Sequence, residues 1–141
     1  IPGTEGYTSP FIVTRNGQQQ VIGASSNCYY GLDARSGNLL WKVDFENQRG
    51  LNISNAILYE DFVFLSSGYG KGSMLVQLIP EGDGFAADTV WQSELMDNHH
   101  GGIILHEGMA YGSGSKARGW FCLDYLYGET QWPTEGRVQS A

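Results

Sequence analysis

The amino-acid sequence predicts an all-β protein, a single array of about three four-stranded antiparallel blades arranged radially as an incomplete β-propeller, and three observations lead there. A ten-residue unit, L-D-x-x-x-G-x-x-x-W, occurs twice in full, as LDARSGNLLW (Leu32 to Trp41) and LDYLYGETQW (Leu123 to Trp132). Short apolar stretches separated by turn residues recur at a period in the forties with four strand signals per period. That spacing belongs to β blades, because helical repeats would space their apolar residues three and four apart. Glycine supplies 20 of 141 residues and aromatics 13%, a pairing that suits turn-rich, aromatic-packed sheets rather than disorder.

The repeat divides the chain into blades at approximately 7–50, 51–97 and 98–141. Each opens on an apolar strand, a short polar turn and a second strand: FIVTRNGQQQVIGAS, NAILYEDFVFLSSG and GIILHEGMAYGSG, with Gly17, Asp61 and Gly108 at matching turn positions. The third strand of the first and last blades ends on Asp33 and Asp124. A side-chain oxygen there accepts hydrogen bonds from the N–H groups of the following turn, and Gly37 and Gly128 supply the positive φ that closes it. Cys122 falls where Gly31 sits, inside a strand. The middle blade carries a degraded copy, LVQLI (Leu75 to Ile79), in which Ile79 stands in the place of the Asp and PEGDGFAAD makes a turn four residues longer. Trp41, Trp91 and Trp132 close the fourth strands, where each ring is expected to wedge against a neighbouring blade in equivalent settings.

Charge and cysteine content exclude several functions. With 8 Lys and Arg against 15 Asp and Glu, the formal charge of −7 repels nucleic acid and anionic membrane surfaces, so no nucleic-acid partner is expected. No apolar run approaches the length of a membrane-spanning helix. Cys28 and Cys122 match neither a disulfide framework nor a metal-binding C-x-x-C pair. The chain begins with Ile1 and shows no leader, which reads as a processed, trimmed or internal end.

The L-D-x-x-x-G-x-x-x-W unit, preceded by an apolar strand, resembles the repeat of the pyrroloquinoline-quinone-like (PQQ-like) β-propeller family. That family includes quinoprotein alcohol dehydrogenases and a non-enzymatic outer-membrane assembly lipoprotein. The resemblance implies a periplasmic, cell-envelope or extracellular location and a repeat motif that is structural. It also implies that a dehydrogenase of this kind would need PQQ, calcium and a pair of adjacent cysteines near the cofactor. Cys28 and Cys122 are not adjacent, and no calcium ligands map onto the chain. Asp83 and Asp88 are expected in a Gly-rich loop without the spacing of a calcium-binding loop.

The polar stretch DNHHGG, Asp97 to Gly102, precedes the first strand of the third blade, the innermost strand of a propeller blade. His99 and His100 are therefore the ligand or channel candidates, their side chains expected on opposite sides of an extended chain and so not gripping one metal together. His106, in a hairpin turn, is expected to be solvated. GSGSKARG lacks the helix of a nucleophile elbow, and GYGKG lacks a following helix to hold a phosphate. No catalytic residue, metal ligand or cofactor is assigned. The expected function is a non-catalytic scaffold that binds a protein or ligand. The alternatives are part of a PQQ- and calcium-dependent alcohol or sugar dehydrogenase, or a metal-dependent or polysaccharide-active enzyme using channel-lining His99 and His100. Closed propellers use about four to eight blades, so three require either further blades or self-association.

Overall fold

In a computed structural model that describes residue 1 and residues 3–133, the chain folds into three four-stranded antiparallel sheets. The first contains β1 (Phe11–Arg15), β2 (Gln18–Ala24), β3 (Cys28–Asp33) and β4 (Leu39–Asp44). The second contains β5 (Ile57–Tyr59), β6 (Phe62–Ser67), β7 (Gly72–Glu81) and β8 (Gly84–Ser93). The third contains β9 (Ile104–His106), β10 (Met109–Gly114), β11 (Gly119–Asp124) and β12 (Thr130–Pro133). Every sheet runs in chain order, so each blade is a meander, and no helix occurs among the described residues.

Side chains alternate between the two faces of a strand, and the middle sheet uses both faces. Val63 and Leu65 of β6, with Met74, Val76 and Leu78 of β7, join Ile22, Tyr29, Trp41 and Val43 of the first sheet in one core. The intervening Phe64 and Leu75 join Ala110, Phe121, Leu123 and Tyr125 of the third sheet in another. Burial on both faces is why FVFL and MLV read as unbroken apolar runs instead of alternating ones.

Register corrects the alignment of the degraded repeat. A bulge falls between Gly31 and Leu32 beside Trp41, between Cys122 and Leu123 beside Trp132, and between Leu75 and Val76 beside Trp91. Leu75 therefore occupies the Gly31 and Cys122 position, and Gln77, not Ile79, stands where Asp33 and Asp124 stand. Sequence patterning cannot detect this slip, because a shift of two residues returns every side chain to the same face. The insertion is six residues, and it is strand rather than loop. Leu78 pairs with Ala87 and Glu81 with Gly84, around a two-residue turn at Gly82 and Asp83. Gly82 has φ +57°, as the first central residue of a type II′ hairpin requires. Asp88 lies in β8 opposite Gln77, outside any loop. The lengthened hairpin leans on the first sheet, where Phe85 and Ala87 extend the core around Trp41.

Candidate functional site

The sheets present two unlike ends. Because neighbouring strands are antiparallel, the β1–β2 and β3–β4 turns and their repeats lie at one end, and the blade-to-blade connections at the other.

At the turn end, the Asp–Gly units act as the sequence predicts. Asp33 Oδ1 accepts from the N–H groups of Arg35 (3.0 Å) and Ser36 (2.8 Å), and Asp124 Oδ1 from those of Leu126 and Tyr127 (both 2.9 Å). The Ser36 N–H, then the Ser36 hydroxyl and the Gln18 amide, hold the Asp33 carboxyl down to about 2. Gly37 and Gly128 close the turns at φ +73° and +71°.

The three repeat tryptophans, Trp41, Trp91 and Trp132, share a register but not an environment. Trp41, 2% exposed, lies flat over Gly31, where any Cβ would overlap the ring, and its Nε1 donates to Gln20 Oε1 of its own sheet at 3.0 Å. Trp91 crosses to the third sheet: its Nε1 donates to the Tyr125 carbonyl at 3.0 Å, and its ring lies against Gly128, whose missing Cβ would come within 2.6 Å of it. Trp132 is 46% exposed, with the Tyr111 ring beside it at 6.2 Å. The expectation of equivalent settings for Trp41 and Trp132 is thus corrected. The ring position repeats, but Trp41 faces a following blade and no described residue forms one after Trp132.

At the connection end, the sequence candidates separate into two roles. Asp97 and Asn98 are buried and bind the second and third sheets together. Asp97 accepts from the N–H groups of Gly70 and Lys116 (2.9 Å each). Asn98 accepts from Ser54 Oγ at 2.8 Å, its N–H donates to Ser66 Oγ at 2.9 Å, and its amide donates to Ser113 Oγ at 3.3 Å. Asn47 and Asn52, which no sequence motif marks, tie down the first connection. Asn47 donates to Ser67 Oγ at 2.7 Å, and Asn52 donates to the carbonyls of Ser25 (3.0 Å) and Phe45 (2.8 Å). No local signal marks them for this role: Asn47 accepts from the N–H groups of Arg49 (2.8 Å) and Leu51 (3.2 Å) as an ordinary loop asparagine does, while its partner Ser67 lies 20 positions away.

His99 and His100 do not point to opposite sides. Their ring centroids are 3.8 Å apart, because residues 99–101 form a bend and the strand begins only at Ile104, so the two-residue alternation of an extended chain does not apply. His99 packs edge-on to Tyr69 (4.4 Å) and over Gly68, its Nε2 buried without a hydrogen-bond partner among the described residues. Burial, and secondarily His100, lowers its pKa, while Asp97 acts in the opposite sense. His100 borders an open groove of about 430 Å³ along the inner strands with Ser54, Asn55 and Ile103. His106 is exposed, 3.8 Å from Glu107. Among the described residues no third His, Cys, Asp or Glu joins the pair to complete a metal-ligand set.

The chain matches no protein-family model and no curated protein sequence. Among solved structures it is similar to the quinohemoprotein alcohol dehydrogenase ADHIIG from Pseudomonas putida HK5, with a TM-score of 0.64 and 19% sequence identity over 94% of this chain. The fold is that of β-propeller blades. The chain spans about a fifth (21%) of the length of that dehydrogenase, and at this identity the likeness shows the propeller fold alone.

The described residues do not fit a quinone–calcium centre. Cys28 and Cys122 are buried thiols in different sheets, not neighbours that could bridge, and the Asp97 carboxylate is already engaged by backbone N–H groups. No helix among the described residues is long and apolar enough to cross a membrane.

Proposed function

We propose that this chain is a non-catalytic propeller module, a scaffold that binds a protein or ligand in the periplasm, at the cell envelope or outside the cell. One observation carries the reading. The buried polar side chains at the connection end, Asn47, Asn52, Asp97 and Asn98, are spent on hydrogen bonds that hold the connections and blades together, a structural use of the polar residues this end buries. The compartment follows from the family resemblance of the repeat. A second reading, part of a PQQ- and calcium-dependent quinoprotein dehydrogenase of alcohols or sugars, draws on the likeness to ADHIIG; its cofactor centre would have to come from residues other than those described.

Reconstitution can overturn the scaffold reading. The purified chain, incubated with PQQ and calcium, is expected to show no bound-quinone absorbance and no alcohol-dependent dye reduction. Quinone- and calcium-dependent dye reduction would overturn the scaffold reading. The scaffold reading also has the end blades bind further blades or a second copy, since both outer sheet faces carry exposed apolar side chains.

A further inference from the structure

The lengthened β7–β8 hairpin of the middle blade has no equivalent in the other two, whose third strands end on tight Asp–Gly turns. Packing Phe85 and Ala87 on the first sheet uses only one face of it. β8 closes its sheet, so one side of its backbone bonds to β7 and the other side faces outward.

Register fixes which groups point outward. Leu78 N–H donates to the Asp61 carbonyl at 2.7 Å, and the Leu78 carbonyl accepts from Arg15 Nη2 at 3.3 Å, so both of its backbone polar groups point away from β8. In an antiparallel ladder, residues opposite each other either exchange both bonds or turn both away. Ala87, opposite Leu78, therefore points its N–H and C=O out of the sheet, and Phe85 and Thr89, two residues to either side, do the same. Pro80, opposite Phe85, has no N–H to give β8, which fits the same register. No hydrogen bond from another element reaches these three backbones among the described residues.

Edge strands are ordinarily blunted by lysine, proline, shortness or a covering segment. β4, the matching edge of the first blade, has six residues, carries Lys42 and touches the hairpin, where a Cβ at Gly84 would come within 2.5 Å of the Leu40 carbonyl. β8 has ten residues, no lysine and no proline, and its bulge at Val90 comes only after Thr89. The two faces of this edge differ in character. Phe85, Ala87 and Thr89 share the face that packs on the first sheet, whereas Glu81, Ala86, Asp88 and the 40% exposed Ile79 share the other. From Gly72 to Ser93 the acids are Glu81, Asp83 and Asp88, with no Lys or Arg among them.

We propose that the edge of β8 from Phe85 to Thr89 takes an extended segment of a partner protein as an added strand, a segment whose side chains alternate apolar and basic. The inference rests on the scaffold reading and names the partner's chemistry. Main-chain bonds to Phe85, Ala87 and Thr89 hold the segment, and its alternate side chains set specificity. Apolar side chains fall on the face of Phe85 and Ala87. Basic ones fall on the face of Glu81 and Asp88, their alkyl stems over Ile79. A second copy of this chain is a poor occupant, because pairing β8 with itself sets two acidic edges against each other in a chain of net charge −7.

A blocked, fluorescein-labelled heptapeptide of alternating valine and lysine, titrated with the full chain, tests the edge. Saturable binding is expected by anisotropy. The amide protons of Phe85, Ala87 and Thr89 are expected to gain protection from hydrogen exchange, and those of Ala86 and Asp88, already bonded to β7, are not. Ala87→Pro removes an outward N–H and leaves the ladder to β7 intact, a position at which edge strands accept proline. It is expected to weaken binding about tenfold or more. Asp88→Lys, an exposed substitution that keeps the test valid if the proline disturbs the hairpin, is expected to weaken binding several-fold and to favour an alternating valine and glutamate peptide instead. Absence of saturable binding, or binding that either folded variant leaves unchanged, overturns the proposal. Self-association that Ala87→Pro abolishes would put a second copy on the edge and overturns it too. Dye reduction in the reconstitution assay would overturn the scaffold reading on separate evidence.

Discussion

The two joints between blades solve one problem with different chemistry. At the second joint, the indole of Trp91 donates to the Tyr125 carbonyl, the Tyr125 hydroxyl returns a bond to the Phe62 carbonyl at 3.3 Å, and the Phe64 ring stacks on Tyr125 at 6.1 Å. At the first joint, the position of Tyr125 belongs to Leu78, and its carbonyl accepts from Arg15 Nη2 at 3.3 Å instead of from a tryptophan. Trp41 turns its N–H to Gln20 in its own sheet. Arg15 is buried, pairs with Asp61, donates from Nε to the Glu60 carbonyl at 3.2 Å and lies 4.4 Å over the Phe85 ring. The middle blade lost the Asp–Gly turn that seats a tryptophan, and a guanidinium with a lengthened hairpin occupies the gap. The carbonyl at one register position, one residue beyond Gln77 and Asp124, is thus the acceptor at both joints, with a different donor at each.

Substitutions sharpen that contrast, beginning with the core ring. Trp41→Ala is expected to cost roughly 3–5 kcal/mol in urea unfolding, because a fully buried ring leaves a cavity between two sheets. Arg15→Met keeps most of the aliphatic bulk but strips the Leu78 and Glu60 carbonyls of a charged donor, for an expected loss of about 1.5–3 kcal/mol. A loss below about 0.5 kcal/mol would show that the guanidinium does not hold the first joint. Trp91→Phe removes a single neutral hydrogen bond while retaining a ring, and about 1 kcal/mol is expected.

Much of this was legible in the sequence, and the division between what was and what was not has a physical cause. The Asp33 and Asp124 turns were legible because an Asp, a Gly four positions on and a Trp four beyond that interact within one hairpin. Strand count, blade period and the all-β class follow from the same local grammar. The Arg15 clamp was not legible: its partners lie some 45 to 63 positions along the chain, and an arginine before an Asn-Gly turn reads as solvated. At the connection end the stretch from Asp97 to His100 was marked as a unit, yet its members divide into buried ties and groove-lining imidazole. The bend at 99–101, which brings the rings together, has no signature beyond the glycines that follow.

Acid titration gives the smallest expected effects, with the same sign but separate pH windows at the two ends. Asp33 has a folded pKa depressed to about 2, so its contribution is complete above its unfolded value of roughly 3.9 and is lost as pH falls through about 2. Asp33→Asn should therefore flatten the fall in melting temperature below pH 4. His99 is also depressed, so the folded state favours its neutral form. Stability on its account is complete above its unfolded value of about 6.5 and falls as pH drops below it. His99→Gln should flatten the pH dependence between 7 and 5, and an unchanged slope would show that the half-buried imidazole does not resist protonation.

The seating of Trp91 on the Gly128 turn of the next blade is tested most directly by a double-mutant cycle in urea. Trp91→Ala and Gly128→Ala are predicted to be non-additive by about 0.5–3 kcal/mol, because the added methyl collides with a ring that the first substitution removes. The same cycle between Trp41→Ala and Gly128→Ala should be additive within about 0.5 kcal/mol. Additivity of the Trp91 and Gly128 pair would contradict the account.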